Sequence, residues 1–348
     1  MPTAKTECTE LSVGFGLLDV LPSGLSEEQI LNLFSGSLPI EKYHNYLHEF
    51  ESQPNLYNEF LDIGRRLRNS YPLFTHLSQV TWTGPQQQAA TTSASKDLIA
   101  ANVPISVKNK SNVVLNASPY NLFVTIPSGS MPAANSDNWY HSTDPNGIQA
   151  LYLFVQMRSQ SALPETYTVF DQTASQVDRN SLKESIGSFS ENTKLEFTRL
   201  YRQMCGNVSS TSANTFNNNL QTALSSNIKN SVLENIVKQF FRVNAVPYIL
   251  VGLDDNHSFG LQIPDITEWK KSWRIIDLTA TPDLSKGQSI VDIRMIVEER
   301  TSKVNRTMEF QVQIRWSHGK FCGNPEAKLY KKFTWSSVPF FTNLFVSR

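Results

Sequence analysis

From residue 26 to 70 apolar side chains recur at helical spacing. Ser26 stands where a helix cap is expected before Glu27-Glu28, and Leu25, Ile30, Leu31, Leu33 and Phe34 supply one apolar face. Pro39 predicts the start of a second helix carrying Tyr43, Tyr46, Leu47 and Phe50. After Pro54, Leu56, Tyr57, Phe60, Leu61, Ile63 and Leu67 continue the spacing up to Tyr71-Pro72. The pattern then shortens. Val80-Thr81-Trp82 reads as a strand, Gly84–Ser95 as a polar loop, and Asp97–Ala100 and Pro104–Lys108 as two strands turning at Asn102. Gly129–Gly147 reads as loop. Ser181–Met204 and Thr215–Phe241 are helical in pattern, joined by a small, polar linker, Cys205–Asn214. From Tyr248 the chain turns strand-like, with Met308, Phe310, Val312 and Ile314 alternating against Glu309, Gln311, Gln313 and Arg315. The expected class is α/β (α+β), with a β-rich C-terminal part. A chain of 348 residues exceeds the usual size of one core. We divide it into residues 1–170, 171–242 and 243–348.

Composition adds exclusions. With 40% hydrophobic and 11% aromatic residues the chain can bury a core. Its longest apolar run, Val246–Leu253, is too short to span a bilayer, so no membrane partner is expected. Met1–Glu10 lacks the basic-then-apolar pattern of a signal peptide. Three widely spaced cysteines, Cys8, Cys205 and Cys322, suggest a reducing compartment, here taken as the cytoplasm. The formal net charge of +0 conceals a gradient. Residues 1–60 hold nine acidic side chains against Lys5 and Lys42, and residues 301–348 hold eight basic ones against Glu309 and Glu326. A basic face is what a binder of phosphate backbones needs.

The segment Lys96–Lys108 gives that face a chemistry. It sets Asp97 and Lys108 eleven residues apart on two adjacent strands. A hairpin can aim such a pair at one point. Asp97 suits Mg²⁺, a hard cation that prefers carboxylate oxygen, and the Val107 carbonyl can offer a second oxygen. Lys108 can orient or deprotonate a water and neutralise charge on a phosphate.

Asp97-x₈-Ser106-x-Lys108, followed by Asn109-Lys110-Ser111-Asn112-Val113-Val114, resembles the PD-(D/E)xK nucleases, in particular type II restriction endonucleases. The likeness covers roughly residues 80–125. It implies a mixed central sheet flanked by helices, Mg²⁺ as cofactor, double-stranded DNA as substrate, and a homodimer acting on palindromic sites. A cognate DNA methyltransferase is the implied partner. The chain departs from the pattern at two places: Ser106 stands where an acid is usual, and no proline precedes Asp97. The family's habit of recruiting a glutamate from a preceding helix points to Glu59 as second metal ligand, with Asp62 in reserve. Ser106 is then an orienting neighbour.

Other constellations compete. Pro282-Asp283-x₈-Asp292-Ile293-Arg294 has the proline and both acids but offers arginine, a poor proton exchanger, and surrounds a turn that reads as a hairpin. His44-x₃-His48 has metal-pair spacing without a third ligand. No phosphate-binding loop, dinucleotide fingerprint or nucleophile elbow occurs. Arg315, His318, Lys320 and Asn324 are the candidate DNA contacts near the basic end. The expectation is a sequence-specific, Mg²⁺-dependent endonuclease. The alternatives are a non-catalytic DNA-binding subunit, or a defence nuclease acting on RNA or on nonspecific DNA.

Overall fold

The computed structural model describes residues 4–84, 96–130, 138–159, 162–254 and 257–346. Residues 85–95 and 131–137, which belong to the two expected polar loops, lie outside the described residues. The chain opens with helix α1 (Ala4–Leu18), which periodicity did not reveal. Every residue from Cys8 to Leu18 is buried. A helix enclosed on all sides has no polar face, so it leaves no stripe to read. The three helices expected next are present as α2 (Glu27–Leu33), α3 (Ile40–Ser52) and α4 (Pro54–Ser70). Ser26 and Gln29 cap α2 reciprocally: the Gln29 N–H donates to Ser26 Oγ at 3.2 Å, and the Ser26 N–H to Gln29 Oε1 at 2.8 Å. α1 rests on α4 through two glycines. A Cβ at Gly16 would stand 2.1 Å from the Leu61 carbonyl oxygen, and one at Gly64 would stand 2.3 Å from that of Val13.

Two sheets follow. The first has the order β1 (Thr81–Trp82), β2 (Leu98–Ala100), β3 (Val103–Asn109), β5 (Tyr248–Asp254), β6 (His257–Ile263), β11 (Thr342–Val346). Its neighbours are antiparallel except β3 and β5, which run parallel and therefore need a long crossover, here the helical middle of the chain. The second sheet is antiparallel: β4 (Val113–Ala117), β10 (Glu326–Lys331), β9 (Asn305–Arg315), β8 (Ser289–Glu299), β7 (Trp273–Pro282). Each sheet takes strands from both sides of the boundaries expected at 170 and 242. Residues 1–170 and 243–348 are therefore interleaved rather than separate units. The alternation in β9 is realised, with Met308, Phe310, Val312 and Ile314 buried.

Two further expectations are corrected. Cys205–Asn214 is no linker; it lies inside one helix, Glu191–Leu224, packed on β7 and β8. Its small residues let the helix approach the sheet closely, and their hydroxyls bond inward. Ser209 Oγ accepts the Ile290 N–H at 2.9 Å, and Ser212 Oγ accepts the indole N–H of Trp139 at 2.9 Å. Trp139 and Tyr140, placed in a loop by their polar neighbours, are buried and begin a helix, Trp139–Thr143.

β5 is buried along its whole length and separates two cores. Ile249, Val251 and Leu253 join α1–α4 and β1–β3, while Tyr248 and Leu250 join the second sheet and its helices. At the end of β5 a buried ion pair ties the sheets together. Lys331 Nζ on β10 donates to Asp254 Oδ1 at 2.8 Å and to the Phe333 carbonyl at 2.9 Å, and the Trp335 N–H donates to Asp254 Oδ2 at 2.7 Å. Among the described residues no helix is long and apolar enough to cross a membrane.

Candidate active site at the end of the β2–β3 hairpin

Ala101 and Asn102, at φ 47° and 64°, form the two-residue turn that the twist of a tight hairpin favours. That turn sets the register: Leu98 pairs with Ile105, so Asp97 falls opposite Ser106. The Asp97 N–H donates to the Ile105 carbonyl at 2.9 Å, and the Thr83 N–H to the Asp97 carbonyl at 3.1 Å. Asp97 Oδ2 accepts the Val107 N–H at 2.6 Å and the Ser106 hydroxyl at 3.1 Å. Within an extended residue N–H and C=O point to the same side, so the Val107 carbonyl also faces the Asp97 edge.

Lys108 lies two residues beyond Ser106, on the same face of β3. Its backbone is clamped by β5, where Gly252 is its partner. A Cβ at Gly252 would stand 1.9 Å from the Lys108 carbonyl oxygen, so only glycine allows this approach. The hairpin thus brings Ser106 into hydrogen-bond contact with Asp97 and sets Lys108 on the same face of β3 as Ser106.

The second carboxylate is not the expected one. Glu59 is exposed on α4, and so is Asp62, which pairs with Arg65 at 3.1 Å. The carboxylate that the fold places by the hairpin is Glu10 of α1. Glu10 is only 7% exposed, and its Oε2 accepts the indole N–H of Trp82 at 2.9 Å. Burial, reinforced by the negative charge of Asp97 and opposed by Trp82 and Lys108, pushes its carboxyl from an ordinary 4.5 up to about 8. Burial also raises the Asp97 carboxyl, against the pull of Lys108, the Val107 N–H, Ser106 and Arg242. Lys108 is half-buried with its ammonium desolvated. Burial lowers its pKa, Asp97 and Glu10 oppose this, and Arg242 adds to it. Arg242 sits at the end of the helix Lys229–Phe241 and donates from Nε to the Val114 carbonyl at 2.8 Å. Two buried carboxylates and one desolvated ammonium therefore lie within electrostatic reach of one another without an ion pair, a site suited to proton exchange or to a hard cation.

The sequence held a trace of Glu10: it is the one charge in the stretch Cys8–Leu18, otherwise apolar or small. A carboxylate enclosed in such a run is a candidate for a function, because burial without one is costly.

The competing constellations come apart. Asp283 Oδ1 closes its own turn, accepting the Ser285 N–H at 2.9 Å and hydroxyl at 2.6 Å. Asp292 pairs with Lys332 at 2.7 Å, and Arg294 lies 3.7 Å from Asp277. That segment is a hairpin. His44 and His48 are both exposed on α3. Among the described residues no cluster of three or more His, Cys, Asp or Glu side chains could hold a metal. Any ion at the hairpin would therefore rest on two carboxylates and backbone oxygen. Of the four expected DNA contacts, Arg315 and Lys320 line one cavity; His318 and Asn324 are exposed outside its lining. No family model, curated protein or solved structure matches this chain.

Proposed function

We propose that this protein is a Mg²⁺-dependent endonuclease hydrolysing phosphodiester bonds of double-stranded DNA. The observation that carries the reading is that Glu10 of α1, Asp97 before β2 and Lys108 of β3 lie, desolvated, within electrostatic reach of one another. A restriction-endonuclease-like core is supported by the mixed sheet, in which the antiparallel β1–β2–β3 meander is followed by a parallel β5 and backed by α1. The donor set fits the ion: two carboxylates that repel one another, and the Val107 carbonyl on the same edge, are hard oxygen donors. Glu10, Asp97 and Val107 would hold Mg²⁺, which when bound supplies charge stabilisation and a more acidic water.

The chain's own groups do the rest. Ser106 and the Val107 N–H hold Asp97 by one oxygen, fixing its orientation. Lys108 can take a proton from the attacking water or, as ammonium, neutralise charge on the phosphate. Ser106 leaves the β3 position without an acid, and Glu10 restores the count to two. The expected product is a phosphodiester cut in line, with no covalent intermediate. A homodimer acting at palindromic sites, and a methyltransferase protecting the same sites, complete the restriction-type reading.

Incubation of the protein with plasmid and Mg²⁺ tests it. Discrete fragments, lost in Asp97→Ala, Lys108→Ala and Glu10→Gln, are expected. A smear or loss of RNA would instead favour a nonspecific effector, and intact plasmid with retained DNA binding a non-catalytic subunit. Cleavage surviving in all three variants would move the active site elsewhere.

A further inference from the structure

The segment Arg315–Lys320, expected from sequence to contact DNA, borders a concavity of a different character. A cavity of about 400 Å³ opens between the end of β9, the turn after it and the long helix Glu191–Leu224. Arg315, Lys320, Lys328, Trp316, Tyr201 and Gln288 line it, with no carboxylate in the wall. Lys328 has Glu326 at 3.6 Å, but the side chains of Arg315 and Lys320 have no acidic partner among the described residues. The Lys320 ammonium lies instead over the rings of Tyr201, at 4.4 Å, and Phe197, at 5.7 Å. Lys183 packs over Gly319 and Arg202 over Gly287, so the surroundings add positive charge.

Three cations gathered in a concavity with one carboxylate, Glu326, beside Lys328 repel one another and lose hydration. Burial accordingly lowers the Lys320 pKa. A bound anion supplies the counter-charge that these cations lack.

We infer that this cavity binds a small phosphorylated molecule, its phosphate held by Arg315, Lys320 and Lys328. The volume lies within the range of small-molecule sites, and Tyr201, Trp316 and Gln288 offer flat and polar surfaces to the remainder of the ligand. A terminal phosphate can enter a concavity in which its cations are half-buried. A diester within a duplex is held at the rim by its flanking sugars, and is better met by projecting side chains. The cavity lining contains none of Glu10, Asp97 and Lys108, so binding to it can be measured without cleavage.

Calorimetric titration of the full chain at low salt, without metal, tests this with three probes: inorganic phosphate, adenosine 5′-monophosphate and a short DNA duplex. Saturable binding of the nucleotide or of phosphate is expected, weakened about tenfold or more by Lys320→Met and by Arg315→Gln. Lys320→Met keeps the aliphatic stem over Tyr201, and circular dichroism verifies that each variant is folded. Absence of binding by both small probes overturns the inference, as does affinity unchanged in both variants. Duplex binding lost in the variants, with no binding of the small probes, also overturns it and makes the cavity wall a DNA contact.

Discussion

Glu10 is a carboxylate kept where folding alone would not place one. The unfolded chain releases its proton near the ordinary 4.5 and the folded chain only near about 8. Between these values the folded state holds more protons, so stability falls as pH rises through that window. Glu10→Gln removes the effect. Without metal this variant should melt at a higher temperature than the parent at pH 8, the gap closing toward pH 5, while cleavage is lost at the Mg²⁺ concentration that suffices for the parent and returns only at about tenfold more or higher. A melting gap that does not change with pH would contradict the buried-acid account. Lys108→Met should lower the cleavage rate by about a hundredfold or more with little loss of DNA binding, as read by single-turnover kinetics and filter binding. At this scale Asp97, Ser106 and Lys108 were legible because a hairpin register converts spacing directly into proximity. Glu10 was not, because the contact spans α1 and the hairpin across 87 positions of chain between Glu10 and Asp97.

Among the elements, α1 is the one on which the site depends most and the one periodicity concealed. Its position rests on the paired glycines Gly16 and Gly64, where added Cβ atoms would collide with backbone. Gly16→Ala and Gly64→Ala should each destabilise the fold by about 1–3 kcal/mol in chemical denaturation, and should depress cleavage further because Glu10 travels with α1. Unchanged stability in both variants would mean that the helices separate without cost. The helix Glu191–Leu224 carries the same lesson. A run of Cys, Gly, Asn, Ser, Thr and Ala reads as linker when seen alone, yet small residues also permit a helix to lie close to a sheet. Only the sheet tells the two apart.

For the whole molecule, the controlling fact is that both sheets draw on distant parts of the chain. β3 and β5 are parallel neighbours separated by the helical middle, and β4 pairs with β10. The Asp254–Lys331 pair sits where the two sheets meet, with both side chains nearly closed to solvent. Replacing one partner strands the other as an uncompensated buried charge. Lys331→Met should cost about 3–5 kcal/mol, and adding Asp254→Leu should recover part of that loss. A double variant as unstable as the sum of the two single ones would show that the pair contributes no coupling.

The sequence by itself determined what depends on neighbours a few residues apart: the helices of α2–α4, the hairpin that aligns Asp97 with Ser106, the alternating strand β9 and the basic character of the C-terminal part. Tertiary structure alone decided which strands share a sheet, that α1 and not α4 places a buried carboxylate by the hairpin, and that Arg315 and Lys320 line one cavity. Short-range order follows from local backbone preference and side-chain period, which are written along the chain. Long-range contacts depend on how buried faces fit together, and a fully buried segment such as Cys8–Leu18 carries no polar side to announce its partner.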